Sequence, residues 1–458
     1  MATNQAPLSG GQLVVAALRA HRVDMAFSVA GESYLEVLDA LFDAPQIRLV
    51  TCRQEGGAAF MAEAYGKLTG KPGVLLVTRG PGACNASIGI HTAFQDSTPM
   101  VVLVGGSGWS DDACRDIASF ARANDLPVCC SFRRQDIIDN RLPCFVGDLG
   151  TGASPSLVAR LKEADLLLAV GARIGEITSQ SYSLLGIPEP GKVLIHVHAS
   201  AEELGRVFRP SLAIQSGMPE FAAAVATLAP VAVSRWLSWR EAVRAEYEAG
   251  LIPPPSRGPL DLGEIMRWLR DRLPDDAIVT SDAGNFSGWP NRFLQYRRPG
   301  RQLGPTSGAM GYGVPAAVAA KLVHPDRLVV GFCGDGGFMM TGQELATAAL
   351  EGTGPIILVF NNSMYGTIRM HQERRFPGRV VGTALRSPDF LALAQAYGVF
   401  GASITSTADF APAFEKAASS SRASIIELKM DPEVITTRTT LSEIRRQAEA
   451  SQAERVAG

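Results

Sequence analysis

The chain has 458 residues, of which 46% are hydrophobic, enough for about three domains with buried cores. Its 43 basic and 45 acidic residues nearly balance, which argues against a nucleic-acid or membrane-surface partner. No apolar run is long enough for a membrane helix. The N-terminus has no basic patch before an apolar core, so we do not expect a signal peptide. The seven cysteines show no C-x-x-C spacing, so we expect free thiols in a cytoplasmic protein.

Helix and strand patterns alternate at short spacing through the first hundred residues. The strand patterns lie at 25–29, 48–52, 74–78 and 100–104. The helix patterns lie at 11–20, 34–42, 56–68 and 85–94. Such alternation predicts a parallel sheet that is covered by helices on both faces.

A second unit of the same style follows, and its clearest strand patterns lie at 166–170 and 193–197. A Pro-rich stretch then predicts a linker into the last domain. The fold class is therefore α/β, with three doubly wound parallel-sheet domains. We predict the boundaries 1–104, 105–248, 249–263 for the linker, and 264–458.

In the last domain, two apolar strand patterns each end in residues that suit a metal-bound anion. The pattern at 327–332 leads into GDGG at 334–337, and a helix pattern follows at 342–350. The pattern at 355–360 leads into the asparagine pair at 361–362. Parallel strands present their carboxyl ends at one edge of the sheet, where open α/β sheets bind ligands. Carboxylate and amide oxygens beside exposed backbone N–H groups predict a magnesium ion bridged to a diphosphate.

The GDG…NN spacing resembles the signature of thiamine-diphosphate-dependent enzymes. The wider sequence is similar to the acetohydroxyacid (acetolactate) synthase branch, in stretches such as RQEGGAAFMAEAYGKLTGKPGV, TSGAMGYGVPAAVAA and NNSMYGTIRMHQE. The resemblance implies that the side chains of Asp335 and Asn362 and the carbonyl of Met364 bind Mg²⁺. It further implies a cradle for the diphosphate, formed by Ala283, Gly284, Asn285, Gly334, Gly336, Gly337, Met364, Tyr365 and Gly366. Relatives often have His where Phe286 stands, so the resemblance leaves that contact open.

Glu55 follows the strand pattern at 48–52 and opens a helix rich in Gly and Ala. Taken alone, it is expected to be a carboxylate that the helix dipole stabilises. The resemblance implies a catalytic role instead, in which Glu55 hydrogen-bonds the aminopyrimidine N1′ of the cofactor from a poorly solvated pocket. It also implies that Met310 supports the bent shape of the cofactor, and that the Gly308 carbonyl accepts from the 4′-amino group.

Other residues leave alternatives open. In acetolactate synthases the middle domain binds FAD, and its strand usually ends with two aspartates. Here His198 and Ser200 take those places, so we expect no FAD. His371 is either near the substrate or on a helix surface. Three nearby arginines either pair with a substrate carboxylate or are solvated; they are Arg369, Arg374 and Arg375.

The chain is shorter than the proteins it resembles, and the difference falls at one place. A single VVLVG at 101–105 serves both as the late strand of the first domain and as the opening of the middle domain. We therefore predict that the first domain is truncated. An apolar face of its sheet should then be exposed or covered by a partner.

The resemblance implies decarboxylation of a 2-oxo acid followed by carboligation, as in branched-chain amino acid biosynthesis. It also implies a homodimer or tetramer with active sites at the subunit interface. Two alternatives stay open. One is a simple 2-oxo-acid decarboxylase. The other is a homologue that binds the cofactor but is catalytically silent because the segment at this junction is missing.

Overall fold

The structure, a computed structural model, describes residues 8–78, 81–96, 108–255 and 258–457. Helices and strands alternate throughout these ranges. The strands are β1 Met25–Ser28, β2 Arg48–Thr51, β3 Val74–Leu76, β4 Val128–Ser131, β5 Phe145–Leu149, β6 Leu166–Val170, β7 Val193–His198, β8 Leu212–Gln215, β9 Ile278–Ser281, β10 Gln302–Leu303, β11 Val329–Gly334, β12 Ile356–Asn361, β13 Phe400–Ile404 and β14 Ser424–Lys429.

The α-helices cover the strands or connect them. They are α1 Gly10–Ala20, α2 Leu35–Phe42, α3 Glu55–Thr69, α4 Pro81–Asp96, α5 Asp111–Ala123, α6 Pro155–Glu163, α7 Met218–Ala226, α8 Leu237–Gly250, α9 Leu262–Arg272, α10 Gly288–Phe293, α11 Gly313–Val323, α12 Asp335–Thr341, α13 Leu345–Leu350, α14 Gly366–Arg375, α15 Phe390–Ala396, α16 Thr407–Ala418 and α17 Leu441–Ala457. No helix in the described part of the chain is long and apolar enough to cross a membrane.

All strand pairs in the described residues are parallel, which confirms the predicted α/β class. The first region has the order β2-β1-β3, and the last region has a six-stranded sheet, β10-β9-β11-β12-β14-β13. The central strands form two separate sheets, β4-β5 and β6-β7-β8. Parallel strands need covered faces, and helices lie between consecutive strands in most of these connections.

Helix α3 is buried along most of its length, and its residues 56–66 are inaccessible to solvent or nearly so. It packs against α4 on one side and against α11 of the last region on another. A polar network crosses the second contact: the hydroxyl of Tyr312 donates to Glu63 (2.6 Å), and Lys67 pairs with the same carboxylate (2.7 Å). The first and last regions of one chain therefore share a single packed interface.

The predicted strand at 100–104 and the shared junction at 101–105 lie outside the described residues. The predicted linker at 249–263 overlaps residues that are neither helix nor strand, 251–255 and 258–261, between α8 and α9. The proposed domain boundaries remain predictions.

The helix pattern at 342–350 is confirmed for residues 345–350, which form α13. Residues 342–344 form a short 3-10 turn before it. The sequence analysis did not predict α12, which begins at Asp335, immediately after β11. Glycine has a low helix propensity, so the GDGG sequence gave no helix signal.

Candidate functional site

A cavity of about 270 Å³ lies at the carboxyl ends of β9, β11 and β12. Its position follows from the sheet order, because β11 pairs with both β9 and β12. The cavity is lined by all but one of the residues that the sequence predicted: Ala283, Gly284, Asn285, Gly308, Met310, Gly334, Asp335, Gly336, Gly337, Asn362, Met364, Tyr365 and Gly366. We call this the strand-end cavity.

Asp335 and Asn362 stand on adjacent strand ends of this cavity. Asp335 is only 2% exposed, and its Oδ2 accepts a hydrogen bond from the Ser387 hydroxyl (2.7 Å). Burial raises the pKa of this carboxyl, while the hydrogen bond from Ser387 and backbone N–H groups act in the opposite direction. The Oδ1 of Asn362 accepts from the Met364 N–H (3.2 Å), which fixes the turn after β12.

The turn after β12 is held in an unusual backbone conformation. Ser363 has a φ of 55°, in the left-handed region that few non-glycine residues adopt. Its N–H donates to Asn361 Oδ1 (3.0 Å), and its carbonyl accepts from the Leu385 N–H (2.8 Å). These bonds fix the turn between β12 and α14, and Met364 of this turn lines the cavity together with Asp335. Strained backbone of this kind concentrates at functional sites.

Two glycines of the GDGG sequence leave no room for a side chain. A Cβ on Gly337 would lie 2.0 Å from Asp282 Oδ2, and a Cβ on Gly336 would lie 2.8 Å from the Tyr365 ring. Both glycines stand in the first turn of α12. Their N–H groups precede the first internal hydrogen bonds of the helix and can bind an anion.

Asp282 was not predicted from the sequence. It is fully buried, and its Oδ1 accepts from the N–H groups of Gly311 (2.7 Å) and Ala283 (2.8 Å). It thereby ties together two loops that line the cavity, those of Met310 and Ala283. Burial raises the pKa of Asp282 to about 7, against the effect of these hydrogen bonds. The sequence offered one signal for Asp282, its position directly after β9. A single acidic residue after a strand is too common to identify a site residue.

Phe286 occupies the place where relatives often have His. Its ring is buried and stacks on Phe360, with centroids 5.1 Å apart. Phe286 also lines the strand-end cavity. The cavity wall is therefore apolar at this point, and no hydrogen bond to an anion can come from the side chain.

Glu55 does not line the strand-end cavity of its own chain, as far as the described residues show. It is the first residue of α3, is half-buried, and accepts from Asn85 Nδ2 (3.0 Å). The preceding turn is anchored by buried Glu344, whose carboxylate accepts from the N–H of Arg53 (3.2 Å) and of Gln54 (2.9 Å). Glu344 was not predicted, because its partners are remote in sequence.

The basic residues after Asn362 lie outside the lining of the cavity. Arg369 donates through Nε to Thr383 Oγ1 (2.7 Å), and Arg374 contacts the sulfur of Met370. His371 is exposed on α14, and desolvation together with Arg374 lowers its pKa. Within the single chain, these positions favour side chains that are solvated over side chains that contact a substrate.

His198, which replaces an aspartate of FAD-binding relatives, is buried at the end of β7. Its Nδ1 lies 3.1 Å from the Ser200 carbonyl, and its ring is 5.9 Å from that of His196. Burial lowers the pKa of His196, which favours its neutral form. Two packed imidazoles thus occupy the strand end. The absence of FAD stays a prediction.

The donors of the strand-end cavity fit a hard cation bound to a diphosphate. A carboxylate, an amide oxygen and a backbone carbonyl are the oxygen ligands that Mg²⁺ takes, completed by phosphate and water. In the described ranges, no three His, Cys, Asp or Glu side chains are arranged so that they could hold a metal ion by themselves. A metal at this cavity would therefore depend on oxygen atoms of the bound anion as well as on the protein.

Three family models match the chain in succession. The thiamine pyrophosphate enzyme N-terminal binding domain matches residues 8–119, the central domain matches 90–225, and the C-terminal binding domain matches 282–428. The chain belongs to the thiamine pyrophosphate enzyme family. Thiamine pyrophosphate is the same compound as thiamine diphosphate, so the family that the GDG…NN spacing predicted is confirmed.

The curated relatives of this family member include acetolactate synthase large subunits. The isozyme 2 large subunit of Escherichia coli (strain K12) is 26% identical, over 87% of this chain and 91% of the relative. The large subunit of Corynebacterium glutamicum is 25% identical, over 90% and 84%. That of Lactococcus lactis subsp. lactis is 25% identical, over 86% and 88%.

The alignment to the Escherichia coli relative spans 509 positions, more than the 458 residues of this family member. The relative therefore has internal residues that this chain lacks. The N-terminal and central family models also overlap, at residues 90–119. This overlap surrounds the VVLVG sequence that the two domains were predicted to share.

Proposed function

We propose that this chain is a thiamine-diphosphate- and magnesium-dependent enzyme that decarboxylates a 2-oxo acid and joins the remaining fragment to a second one. The observation that carries this proposal is the strand-end cavity. It gathers a buried carboxylate, an amide and closely packed glycines at adjacent ends of parallel strands. The names of the relatives favour an acetolactate-type product.

Asp335, Asn362 and the Met364 carbonyl would hold Mg²⁺. Metal binding would replace the hydrogen bond from Ser387 and keep Asp335 ionised, because a cation lowers the pKa of a carboxyl beside it. The N–H groups of Gly336 and Gly337 would face the diphosphate. Asp282 keeps the opposite loop in place through Gly311 and Ala283.

When bound, thiamine diphosphate would supply an acidic carbon that adds to the 2-oxo group after losing its proton, and a cationic ring that accepts the electron pair released as carbon dioxide leaves. Glu55 would hold a proton at the pyrimidine N1′ and thereby promote loss of the proton from that carbon. Met310 would support the cofactor between its two ends. The apolar wall formed by Phe286 and Phe360 would limit water near the diphosphate.

We further propose that the Glu55 of one subunit serves the strand-end cavity of another. Glu55 is the one predicted site residue that does not line the cavity of its own chain. It lies at the N-terminus of α3, where its carboxylate accepts a hydrogen bond from the Asn85 side chain. A symmetric dimer would place two such glutamates against two cavities.

Mixing two inactive variants tests this arrangement. Chains with Glu55→Ala and chains with Asp335→Ala should each be inactive. If the site forms between subunits, random mixing restores one intact site in half of the dimers, or about a quarter of wild-type activity. If Glu55 acted within its own chain, no mixture would recover activity.

Product analysis tests the reaction itself. With pyruvate as the substrate, carboligation predicts acetolactate, and acetaldehyde without acetolactate would support a simple decarboxylase. The internal residues that the Escherichia coli relative has and this chain lacks favour one further candidate, a homologue that binds the cofactor without turnover. Cofactor binding with no activity on a panel of 2-oxo acids would identify that case.

A further inference from the structure

A second cavity, of about 360 Å³, lies between the central region and the last region of the chain. Residues of both regions form it, from β5, the start of α6, α8, α10 and the segment before α17. Its polar lining consists mainly of Asp148, Ser154, Glu246, Asn291, Arg292 and Arg438, and we call it the interregion cavity.

Two arginines of this cavity lack a carboxylate partner among the described residues. Arg292 donates only to carbonyl and hydroxyl oxygens, those of Gly250 (3.0 Å) and Thr437 (3.2 and 3.3 Å). Arg438 donates through Nη1 to the Ala153 carbonyl (3.3 Å). Both side chains line the same cavity, and Arg292 contacts Thr437, the residue next to Arg438. Burial and the charge of Arg438 both lower the pKa of Arg292. An anion between them would stabilise both charges.

Two further groups of the cavity can donate to an anion. Asn291 is 7% exposed, and its Nδ2 has no hydrogen-bond partner in the described part of the chain. A buried amide without a partner carries a cost that a ligand oxygen would remove. Helix α6 also begins here with Pro155, and the Ser154 side chain does not cap it but lies 2.8 Å from the Ser156 hydroxyl. The N–H groups of its first turn therefore remain available.

The acidic groups facing the cavity do not cancel this charge. Glu246 is already paired with Arg160, at 2.6 Å between Oε1 and Nη2. Asp148 is half-buried, burial raises its pKa to about 7, and its Oδ1 accepts from Gln135 Nε2 (3.1 Å). Arg292 and Arg438 therefore remain cationic groups of the lining that no carboxylate neutralises within the described residues.

The remaining wall is apolar and includes Val146, Leu157, Val243 and Tyr247. A cavity of this size holds a small ligand but no large dinucleotide. We propose that the interregion cavity binds a small phosphate monoester with an apolar or aromatic body. Its phosphate group would lie between Arg292, Arg438 and Asn291. Thr151 lines both this cavity and the strand-end cavity, so the two ligands would contact one loop.

Calorimetric titration with phenyl phosphate tests the proposal. The titration uses the full chain without magnesium, as wild type and as Asp335→Ala, so that binding in the strand-end cavity is recognised. We expect one binding event that is the same in both proteins. Arg438→Gln should weaken it about tenfold or more, because one charge-assisted contact is lost. Arg292→Gln should weaken it similarly.

Arg446→Gln is the matched control, because Arg446 is exposed on α17 and does not line the cavity. It removes the same charge and should leave the affinity unchanged. Arg438→Lys keeps the charge without the planar fork, and should bind with intermediate affinity. The proposal is overturned if wild type does not bind phenyl phosphate, if Arg438→Gln binds as tightly as wild type, or if Asp335→Ala abolishes binding.

Discussion

The first and last regions of the chain share the same style of alternating strands and helices but differ in completeness. The last region has six hydrogen-bonded strands around a phenylalanine-rich core, and its cavity gathers nearly every predicted ligand. The first region has three strands in the described residues, and its helices leave Leu35 60% and Phe42 88% exposed. The comparison shows that the last region of one chain gathers nearly all of the predicted site residues, whereas Glu55, in the first region, does not line the cavity of its own chain.

Substitution of Glu55 should have the largest effect and separate the two halves most clearly. Glu55→Gln keeps the shape but removes the carboxylate, so turnover should fall about 10²–10⁴-fold, as for other general acid–base residues. Magnesium and thiamine diphosphate should still bind, because the strand-end cavity is untouched. Steady-state turnover with pyruvate and calorimetry on the same preparation measure the two quantities. Unchanged turnover would remove Glu55 from the reaction.

The pH dependence of stability should report the buried acid of the last region. The pKa of Asp282 is raised to about 7 from 3.8, so the folded state holds a proton that the unfolded chain releases between these values. The stability contribution of Asp282 is thus full below the unfolded pKa and is lost as pH rises to 7. The loss should reach up to roughly 1.4 kcal/mol per pH unit.

Asp282→Asn removes this titration, so its unfolding free energy should fall less than that of wild type between pH 5 and pH 7. Urea unfolding at both pH values measures the difference. Asp148→Asn is a useful comparison, because burial also raises the pKa of Asp148 to about 7, but in the central region. Identical pH slopes for wild type and Asp282→Asn would contradict the assigned burial effect.

Packing around the GDGG sequence gives the next prediction. Gly337→Ala places a methyl group where Asp282 Oδ2 now stands, so the loop contacts of Asp282 must shift. We expect a loss of about 1–3 kcal/mol in unfolding free energy, together with weaker cofactor binding. Gly10→Ala is the matched control, because a Cβ there meets nothing within 4 Å. Equal stability of Gly337→Ala and wild type would show that α12 is less tightly packed than described.

The smallest effect is expected at the contact between the two regions. Glu344→Gln replaces the carboxylate that accepts hydrogen bonds from the N–H groups of Arg53 and Gln54. These hydrogen bonds become weaker, and the NH₂ group of the new amide is placed near N–H donors. A loss of about 1–2 kcal/mol should follow, with a moderate decrease in turnover through displacement of Glu55. Glu264→Gln, on the surface of α9, should change neither quantity. A stability equal to wild type would mean that Glu344 does not anchor the start of α3.

Local patterns predicted the elements near the site well. The strands leading to Asp335 and Asn362 are adjacent and parallel, as their hydrophobic runs and spacing indicated. The exception, the start of α12 at Asp335, arises because tertiary packing of Gly337 outweighs its low helix propensity.

Long-range contacts could not be predicted from the sequence. Asp282 bonds to Gly311, and Glu344 bonds to Gln54 across 290 positions of the chain. Neither residue stands in a short motif, and an isolated acid gives no periodic signal. The place of Glu55 outside its own cavity likewise depends on how whole regions pack, which hydrophobic periodicity does not encode.

The central claim is that Asp335 and its neighbours hold a magnesium-bound diphosphate. Calorimetry with thiamine diphosphate and Mg²⁺ tests it directly, on wild type and on Asp335→Ala. The account predicts magnesium-dependent binding by wild type, and an affinity at least about a hundredfold lower for Asp335→Ala, since a carboxylate ligand of the metal is lost. Equal, magnesium-dependent binding by both proteins would contradict it.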